Sequence, residues 1–311
     1  MVFVILLKNI KTGLFCEYNN VHKIFVDTTE FNNYFKPYVN DIDNVIFLML
    51  RFSIYKYKII KERLMLLPYK ICRNNGTKVD NLIHIMLLDV KESWKSMLKT
   101  ELTKDYMLKN LNMLIESDQV ILPLDPRQWL HAFHYFELKD LNVVILGQDP
   151  YPGKCNKYYY ANGLAFSVNK GLKITKSLSN IYKDLLYEYD DFEIPMHGNL
   201  LSWVDQGVLL LNTSLTVESG IPDSHTYMWK TMTDNIIKYI STQCKFIVFL
   251  LMGRKAENKK NLICKKNDMI VTCHPAADGF VEKNFFPVKP FKAINLSLSS
   301  HNKTSIDWII L

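Results

Sequence analysis

The sequence predicts an α/β protein with three layers, α/β/α, around a central and mainly parallel sheet of four strands. One observation is a set of short, continuously apolar segments, which are typical of strands buried on both faces. These segments are Leu141–Leu146, Val208–Leu211, Phe246–Leu251 and Met269–Cys273. A second observation is that helical patterns alternate with these segments, as expected when helices form the crossovers of a parallel sheet.

The helical segments are predicted from apolar residues that recur every three or four positions. One such pattern starts at Glu92 and runs to Leu111, and another covers Trp229–Ile240. A third covers Ser177–Leu186, where Ser177 has the side chain of an N-cap residue. These segments would cover the two faces of the sheet.

A third observation is that each predicted strand ends in polar or charged residues. The residues are Gln148 and Asp149, Asn212, Arg254, and His274. Ligands of open α/β sheets bind in the crevice beyond the carboxyl ends of the strands, so these residues are predicted to share one site. Taken singly, each has a plainer interpretation, since Asp149 and Asn212 suit turns and His274 suits a structural role.

Composition limits the class of protein and of site. The chain has 311 residues, 48% hydrophobic and 22% charged, with a formal net charge of +7. A basic balance of this kind favours a polyanionic partner. The six cysteines are far apart and form no C-x-x-C pair, so we expect reduced thiols in an intracellular protein. No phosphate-binding loop, nucleophile elbow, dinucleotide fingerprint or acidic metal cluster occurs around the strand ends.

The first part of the chain differs in composition from the rest and is rich in Asn, Lys, Ile, Tyr and Phe. We therefore predict an N-terminal extension of unknown function over residues 1–89 and a second domain over residues 90–311. Within the extension, Val2–Leu7 and Ile83–Leu88 are candidate strands. Neither carries a motif with recognisable chemistry.

The residues Gly147–Tyr151, Gly-Gln-Asp-Pro-Tyr, resemble the water-activating motif of family 1 uracil-DNA glycosylases. Other segments are similar to that family in the expected order. They are residues 92–94 at the start of its catalytic domain, 163–168 in its uracil-stacking segment, 177–183 after its DNA-pinching loop, 209–217 in its base-reading strand, 274–275 in its minor-groove loop and 306–308 at its end. The resemblance covers about residues 90–311 and implies a monofunctional enzyme of base excision repair that needs no cofactor and no metal.

The resemblance also implies a role for each residue of the predicted crevice. Asp149 would orient a water and stabilise the sugar cation, and His274 would donate to the uracil oxygen as negative charge develops. Phe166 would stack on the extruded base and Asn212 would read its Watson–Crick edge. Tyr151 would exclude the methyl group of thymine. Gln148 would shape the pocket with its backbone.

Contacts to DNA are implied at Ser177, Arg254 and Phe280. The segment after His274 departs from the family, which has a leucine wedge where Asp278 stands, so Phe280 is the better intercalating candidate. Pro152 and the pair Ala276-Ala277 are similar to the poxvirus branch, whose members also serve a polymerase processivity complex. The alternative function is therefore a DNA-replication scaffold derived from a glycosylase. We expect a monomer that acts on single- or double-stranded DNA in the nucleus or at a site of viral replication.

Overall fold

The computed structural model describes residues 77–277 and 286–310, together with the backbone of three N-terminal strands. The chain divides into two compact units, Met1–Thr77 and Lys78–Leu311. The strands of the first unit form an antiparallel sheet in the order β2-β1-β3, and they are β1 (Val2–Asn9), β2 (Phe15–Cys16) and β3 (Val45–Phe52). The predicted strand at Val2–Leu7 is therefore confirmed.

The second unit alternates helices and strands along the chain. Its helices are α1 (Lys78–Leu87), α2 (Glu92–Leu102), α3 (Asp105–Glu116), α4 (Lys176–Glu188), α5 (Leu201–Val204), α6 (Thr226–Gln243), α7 (Arg254–Glu257) and α8 (Pro290–Ser300). Its strands are β4 (Ile121–Leu122), β5 (Val143–Gly147), β6 (Lys154–Cys155), β7 (Tyr158–Tyr159), β8 (Val208–Asn212), β9 (Val217–Glu218), β10 (Val248–Met252) and β11 (Asp268–Thr272). Short 3₁₀ helices cover Pro126–Phe133, Leu138–Asp140, Lys260–Leu262 and Phe286–Val288.

The central sheet of the described residues has the order β11-β10-β5-β8, and all three neighbouring pairs are parallel. Every residue of β5, β8 and β10 is buried. Gly147 pairs with Asn212 in the register, and Met252 pairs with Thr272, so the carboxyl ends lie along one edge. The predicted α/β/α fold with a parallel four-stranded sheet is confirmed.

The helices of this unit form two groups of contacts. Helix α8 contacts β10, β11 and α4, and helix α6 contacts α2 and α3. Three fully buried tryptophans, Trp94, Trp203 and Trp229, lie in the core that these layers enclose. The indole N–H of Trp94 donates to the carbonyl of Phe136 and that of Trp203 to the carbonyl of Trp308, so their polar atoms are paired.

The structure corrects the prediction of a strand at Ile83–Leu88, because residues 83–87 belong to helix α1 and Leu88 lies in the turn that follows it. The buried side chains Val79, Leu82, Ile83 and Met86 follow a helical spacing of three and four. Because α1 packs against the 3₁₀ helix that begins at Pro126, it belongs to the second unit. The division of the chain therefore falls between residues 77 and 78, ahead of the predicted boundary at 89.

Helix α4 begins one residue before the predicted N-cap. Its N-cap is Thr175, with extended backbone angles, and Ser177 already lies inside the first turn and is buried. The hydroxyl of Thr175 donates to the phenol oxygen of Tyr151 at 2.8 Å and does not cap the helix. The predicted N-cap at Ser177 is therefore wrong, because Thr175 is the residue that precedes the helix.

Candidate active site

The floor of the site is formed where β5 and β8 end side by side. The side chain of Asn212 lies directly over Gly147, so that a Cβ atom at residue 147 would fall 2.3 Å from Asn212 Oδ1 and 2.8 Å from Ala165 Cβ. Any side chain at residue 147 would displace the Asn212 amide. The glycine at the end of β5 is therefore what allows Asn212 to occupy this position.

The variant Gly147→Ala is expected to lower uracil excision, the activity that the resemblance implies, by at least about tenfold, because it pushes the Asn212 amide out of place. Gly153→Ala is the matched control, since its Cβ would lie 3.8 Å from the nearest atom, a Tyr160 ring carbon. Single-turnover excision rates of the two variants give the comparison. Equal rates would show that the close approach at Gly147 has no role.

Phe166 and His274 lie next to this floor. The Phe166 ring is 9% exposed, and its centroid lies 6.4 Å from that of the His274 ring. Ala165 donates its N–H to the carbonyl of Leu210, which fixes this segment along the edge of β8. Phe166 adopts a left-handed φ of 63°, a conformation that non-glycine residues rarely adopt without a structural or functional reason.

Tyr151 forms a wall between the loop after β5 and the start of α4. Its hydroxyl donates to the carbonyl of Phe166 at 3.2 Å and accepts from the hydroxyl of Thr175 at 2.8 Å. Its ring packs edge-on against Tyr160, with centroids 6.3 Å apart. Burial raises the pKa of the Tyr151 hydroxyl, so the phenol remains neutral in the ordinary pH range. These contacts hold the ring in one orientation.

Both carboxylate oxygens of Asp149 accept hydrogen bonds. The side-chain amide of Gln148 donates to Oδ1 at 3.0 Å, and the backbone N–H of Asp223 donates to Oδ2 at 2.7 Å. Burial is the largest influence on the Asp149 carboxyl and raises its pKa above the ordinary 3.8, while the Asp223 N–H and the charge of Lys255 act in the opposite direction.

Gln148 makes hydrogen bonds with both its side chain and its backbone. Its carbonyl oxygen accepts from the N–H of Ser214 and the hydroxyl of Thr213, while its amide bridges Asp149 and the Asp223 carboxylate. Sequence reasoning singled out neither Asp223 nor Lys255, which forms an ion pair with it. The Pro222-Asp223 turn is a visible signal, but nothing in it indicates a contact 74 residues away.

His274 is held by the loop after β10. Gly253 has a φ of 87°, and a Cβ there would lie 2.8 Å from His274 Cβ, so only glycine suits this close approach. The N–H of Ala276 donates to His274 Nδ1 at 3.1 Å, so Nδ1 is an acceptor and the neutral ring carries its proton on Nε2. Burial, and then the charge of Lys255, lower the pKa of His274 below 6.5.

The predicted DNA-contacting residues lie in different surroundings. Arg254 is exposed at the start of α7 and follows Gly253 in the chain. Ser177 is buried in the first turn of α4. The side chain of Asn180, three residues further along α4, donates to the carbonyl of Pro275 at 2.7 Å and so fastens the loop that carries His274. Phe280 lies outside the described residues.

The described part of the chain contains no group of three or more His, Cys, Asp or Glu side chains placed to hold a metal ion. Cys155, Cys244 and Cys264 are thiols outside any disulfide. No helix among the described residues has the length and apolar character needed to cross a bilayer.

Comparison with known proteins gives the family. The model of the uracil DNA glycosylase superfamily matches residues 133–297. The uracil-DNA glycosylase of Pseudoalteromonas translucida is 40% identical over 220 residues, which cover 69% of this chain and 98% of the relative. This chain belongs to the uracil-DNA glycosylase superfamily. The uracil-DNA glycosylase of Borrelia duttonii is 41% identical over 234 residues. The match covers 72% of this chain and all of that relative.

Solved uracil-DNA glycosylase structures have the same fold. The crystal structure of mimivirus uracil-DNA glycosylase matches with a TM-score of 0.66 and 25% identity, over 83% of this chain and all of that one. A variant of the mimivirus enzyme, crystallised in complex with UGI, matches with the same TM-score and 27% identity, over 77% of this chain and 98% of that one. Uracil-DNA glycosylases hydrolyse the N-glycosidic bond of uracil in DNA, and this chain carries out that reaction in base excision repair.

Proposed function

We propose that the crevice beyond β5, β8, β10 and β11 is the site of uracil excision, with Asp149 and His274 as its catalytic residues. The extruded uracil would lie between the Phe166 ring and the floor formed by Gly147 and Asn212. This placement is supported by the Phe166–His274 ring contact and by the position of Asn212 over Gly147.

The observation that carries the proposal is the state of the Asn212 amide. Its residue is only 5% exposed, yet within residues 77–277 and 286–310 this amide makes no hydrogen bond. The Asn212 amide is not one of the fully enclosed, unpaired polar groups of the described residues, so its N–H and its oxygen are accessible and available to a base. Uracil O4 and N3–H supply an acceptor and a donor, while cytosine presents the reverse pattern and would be rejected.

The proposed chemistry divides between the two ends of the breaking bond. Water, oriented by Asp149, attacks C1′ of the sugar as the C1′–N1 bond breaks, and the bonding electrons leave with uracil. The water oxygen becomes the sugar hydroxyl and its proton passes to Asp149. The Nε2–H of neutral His274 donates to uracil O2, where negative charge accumulates. Because Nδ1 already accepts from Ala276, the donor is oriented before substrate arrives.

The base-recognition role of Tyr151 gives a further prediction. Tyr151→Ala removes the ring that would meet the methyl group of thymine, so thymine excision should become measurable while uracil excision falls. The measurement is release of free base from oligonucleotides that contain a single uracil or thymine.

The matched variant is Tyr151→Phe, which keeps the ring and removes only the hydrogen bonds to Phe166 and Thr175. This variant should still reject thymine. If Tyr151→Ala rejected thymine as completely as the parent protein, Tyr151 would not be the residue that excludes the methyl group.

We also propose that Arg254, Ser177 and Phe280 contact DNA, Arg254 through phosphate, for which a guanidinium is well suited. A second candidate function is binding of a replication partner. It is supported by the part of this chain, about three tenths, that the matches to the two bacterial relatives leave uncovered and that is available for such a role. The protein would act as a monomer in the nucleus or at a site of viral DNA replication. Sedimentation of the full chain, alone and with DNA, tests the monomer.

A further inference from the structure

A short hairpin projects beyond the catalytic loop and is not part of the site described above. Strand β6 pairs antiparallel with β7, with Lys154 opposite Tyr159 and Cys155 opposite Tyr158. The two residues between the strands are Asn156 and Lys157, and Asn156 has the left-handed φ of 55° that tight hairpin turns favour.

The hairpin is attached directly to the wall of the proposed pocket. The residue after β7, Tyr160, donates its N–H to the carbonyl of Gly153 and packs its ring against Tyr151. The base of the hairpin is therefore fixed to the residue proposed to exclude thymine. The hairpin therefore lies next to the proposed pocket.

The side chains of the hairpin present positive charge and an exposed aromatic ring. Lys154 and Lys157 are exposed, and neither forms an ion pair within the described part of the chain. Each ammonium group lies near a tyrosine ring instead, Lys157 at 5.2 Å from the centroid of Tyr158 and Lys154 at 5.9 Å from that of Tyr159. Tyr158 itself is 57% exposed.

Lysines without an acidic partner, beside an exposed aromatic ring, are suited to bind a nucleic-acid strand. Lysines attract phosphates through counterion release, and tyrosine rings stack on unpaired bases of any sequence. A protein partner would more naturally be met by an apolar surface without two uncompensated charges. The charge and the position beside the pocket therefore favour the substrate DNA as the occupant.

We propose that the hairpin Lys154–Tyr159 binds the DNA strand that flanks the extruded uracil nucleotide, with Lys154 and Lys157 at phosphates and Tyr158 stacked on an unpaired base. This inference rests on the proposed position of the uracil site. Stacking requires an unpaired base, so the contribution of Tyr158 should be larger on single-stranded DNA than on duplex DNA.

The test measures binding of a uracil-free single-stranded oligonucleotide to the full chain by fluorescence anisotropy, so that it does not depend on catalysis. Tyr158→Ala should weaken binding about tenfold, and Tyr158→Phe should retain it. The matched control is Tyr187→Ala on α4, since Tyr187 is 58% exposed and has Lys289 at 5.1 Å from its ring centroid. That control should bind as the parent protein does.

Salt dependence tests the lysines. Replacing Lys154 and Lys157 with Gln should reduce the slope of log K against log salt by about 0.7 for each phosphate that the variant no longer neutralises. The proposal would be overturned if the salt slope stayed unchanged in the lysine variant and the tyrosine test also failed. The tyrosine test fails if Tyr158→Ala binds as the parent protein does, or if Tyr187→Ala weakens binding as much as Tyr158→Ala. Failure of the proposed excision site would appear separately, as uracil release that survives in Asp149→Asn with hairpin binding intact.

Discussion

Replacing Asp149 with Asn is expected to lower kcat for uracil excision by about 10³-fold while DNA binding is retained. Asparagine keeps the shape of the side chain and can still accept the N–H of Asp223 through its amide oxygen. It carries no negative charge to stabilise the sugar cation and cannot take the proton of water. Single-turnover release of uracil and anisotropy with the same oligonucleotide measure the two quantities.

The matched control is Asp140→Asn, because Asp140 is an exposed aspartate ahead of the amino end of β5, the strand that carries Asp149 near its carboxyl end. This control should excise uracil at the parent rate. Full activity in Asp149→Asn would show that the carboxylate is not part of the chemistry. Loss of DNA binding as well would show that the residue acts through the fold of the loop.

His274→Ala is the second prediction with a large effect, and kcat should fall by about 10²- to 10³-fold. The decrease follows from the removal of the Nε2–H donor, which Ala276 orients through Nδ1. Substrate affinity should change much less, since the donor is strongest when negative charge has developed on uracil. His84→Ala, which replaces an exposed histidine on α1, is the control and should leave the rate unchanged.

The pH dependence of the parent protein follows from the same two groups. The pKa of His274 is lowered below 6.5 by burial and Lys255, and the pKa of Asp149 is raised above 3.8 chiefly by burial. Neutral His274 and ionised Asp149 are both required, so the rate should fall on acidification, when either group gains a proton. Lys255→Met removes a nearby positive charge and should move this acid limb to higher pH. Lys238→Met, on the exposed face of α6, should not move it.

Much of the fold and of the site could be predicted because the information is local. Segments 143–146 and 208–211 consist only of apolar residues, so they are predicted to be buried strands. Parallel strands bring their carboxyl ends together. That rule alone places Asp149, Asn212, Arg254 and His274 along one edge of the sheet, as the register of β5, β8, β10 and β11 shows.

The rest could not be predicted because it depends on contacts between distant segments. The Asp223 N–H reaches Asp149 across 74 residues, and Asn180 reaches Pro275 across 95. No sequence pattern predicts a contact between residues that are this far apart in the chain. The error at Ile83 has a different cause, since a short apolar run suits a buried helix as well as a strand until its packing is known.

The central claim is that one crevice, built from the ends of the parallel strands, binds uracil and hydrolyses its bond to the sugar. The most direct measurement is a single-turnover reaction of the full chain with a uracil-containing oligonucleotide, in which free uracil and alkali-labile abasic sites are counted together. We predict equal amounts of both, from single-stranded and duplex DNA, and a loss of both in Asp149→Asn. Absence of free uracil from either substrate, or its undiminished release by Asp149→Asn, would contradict the claim.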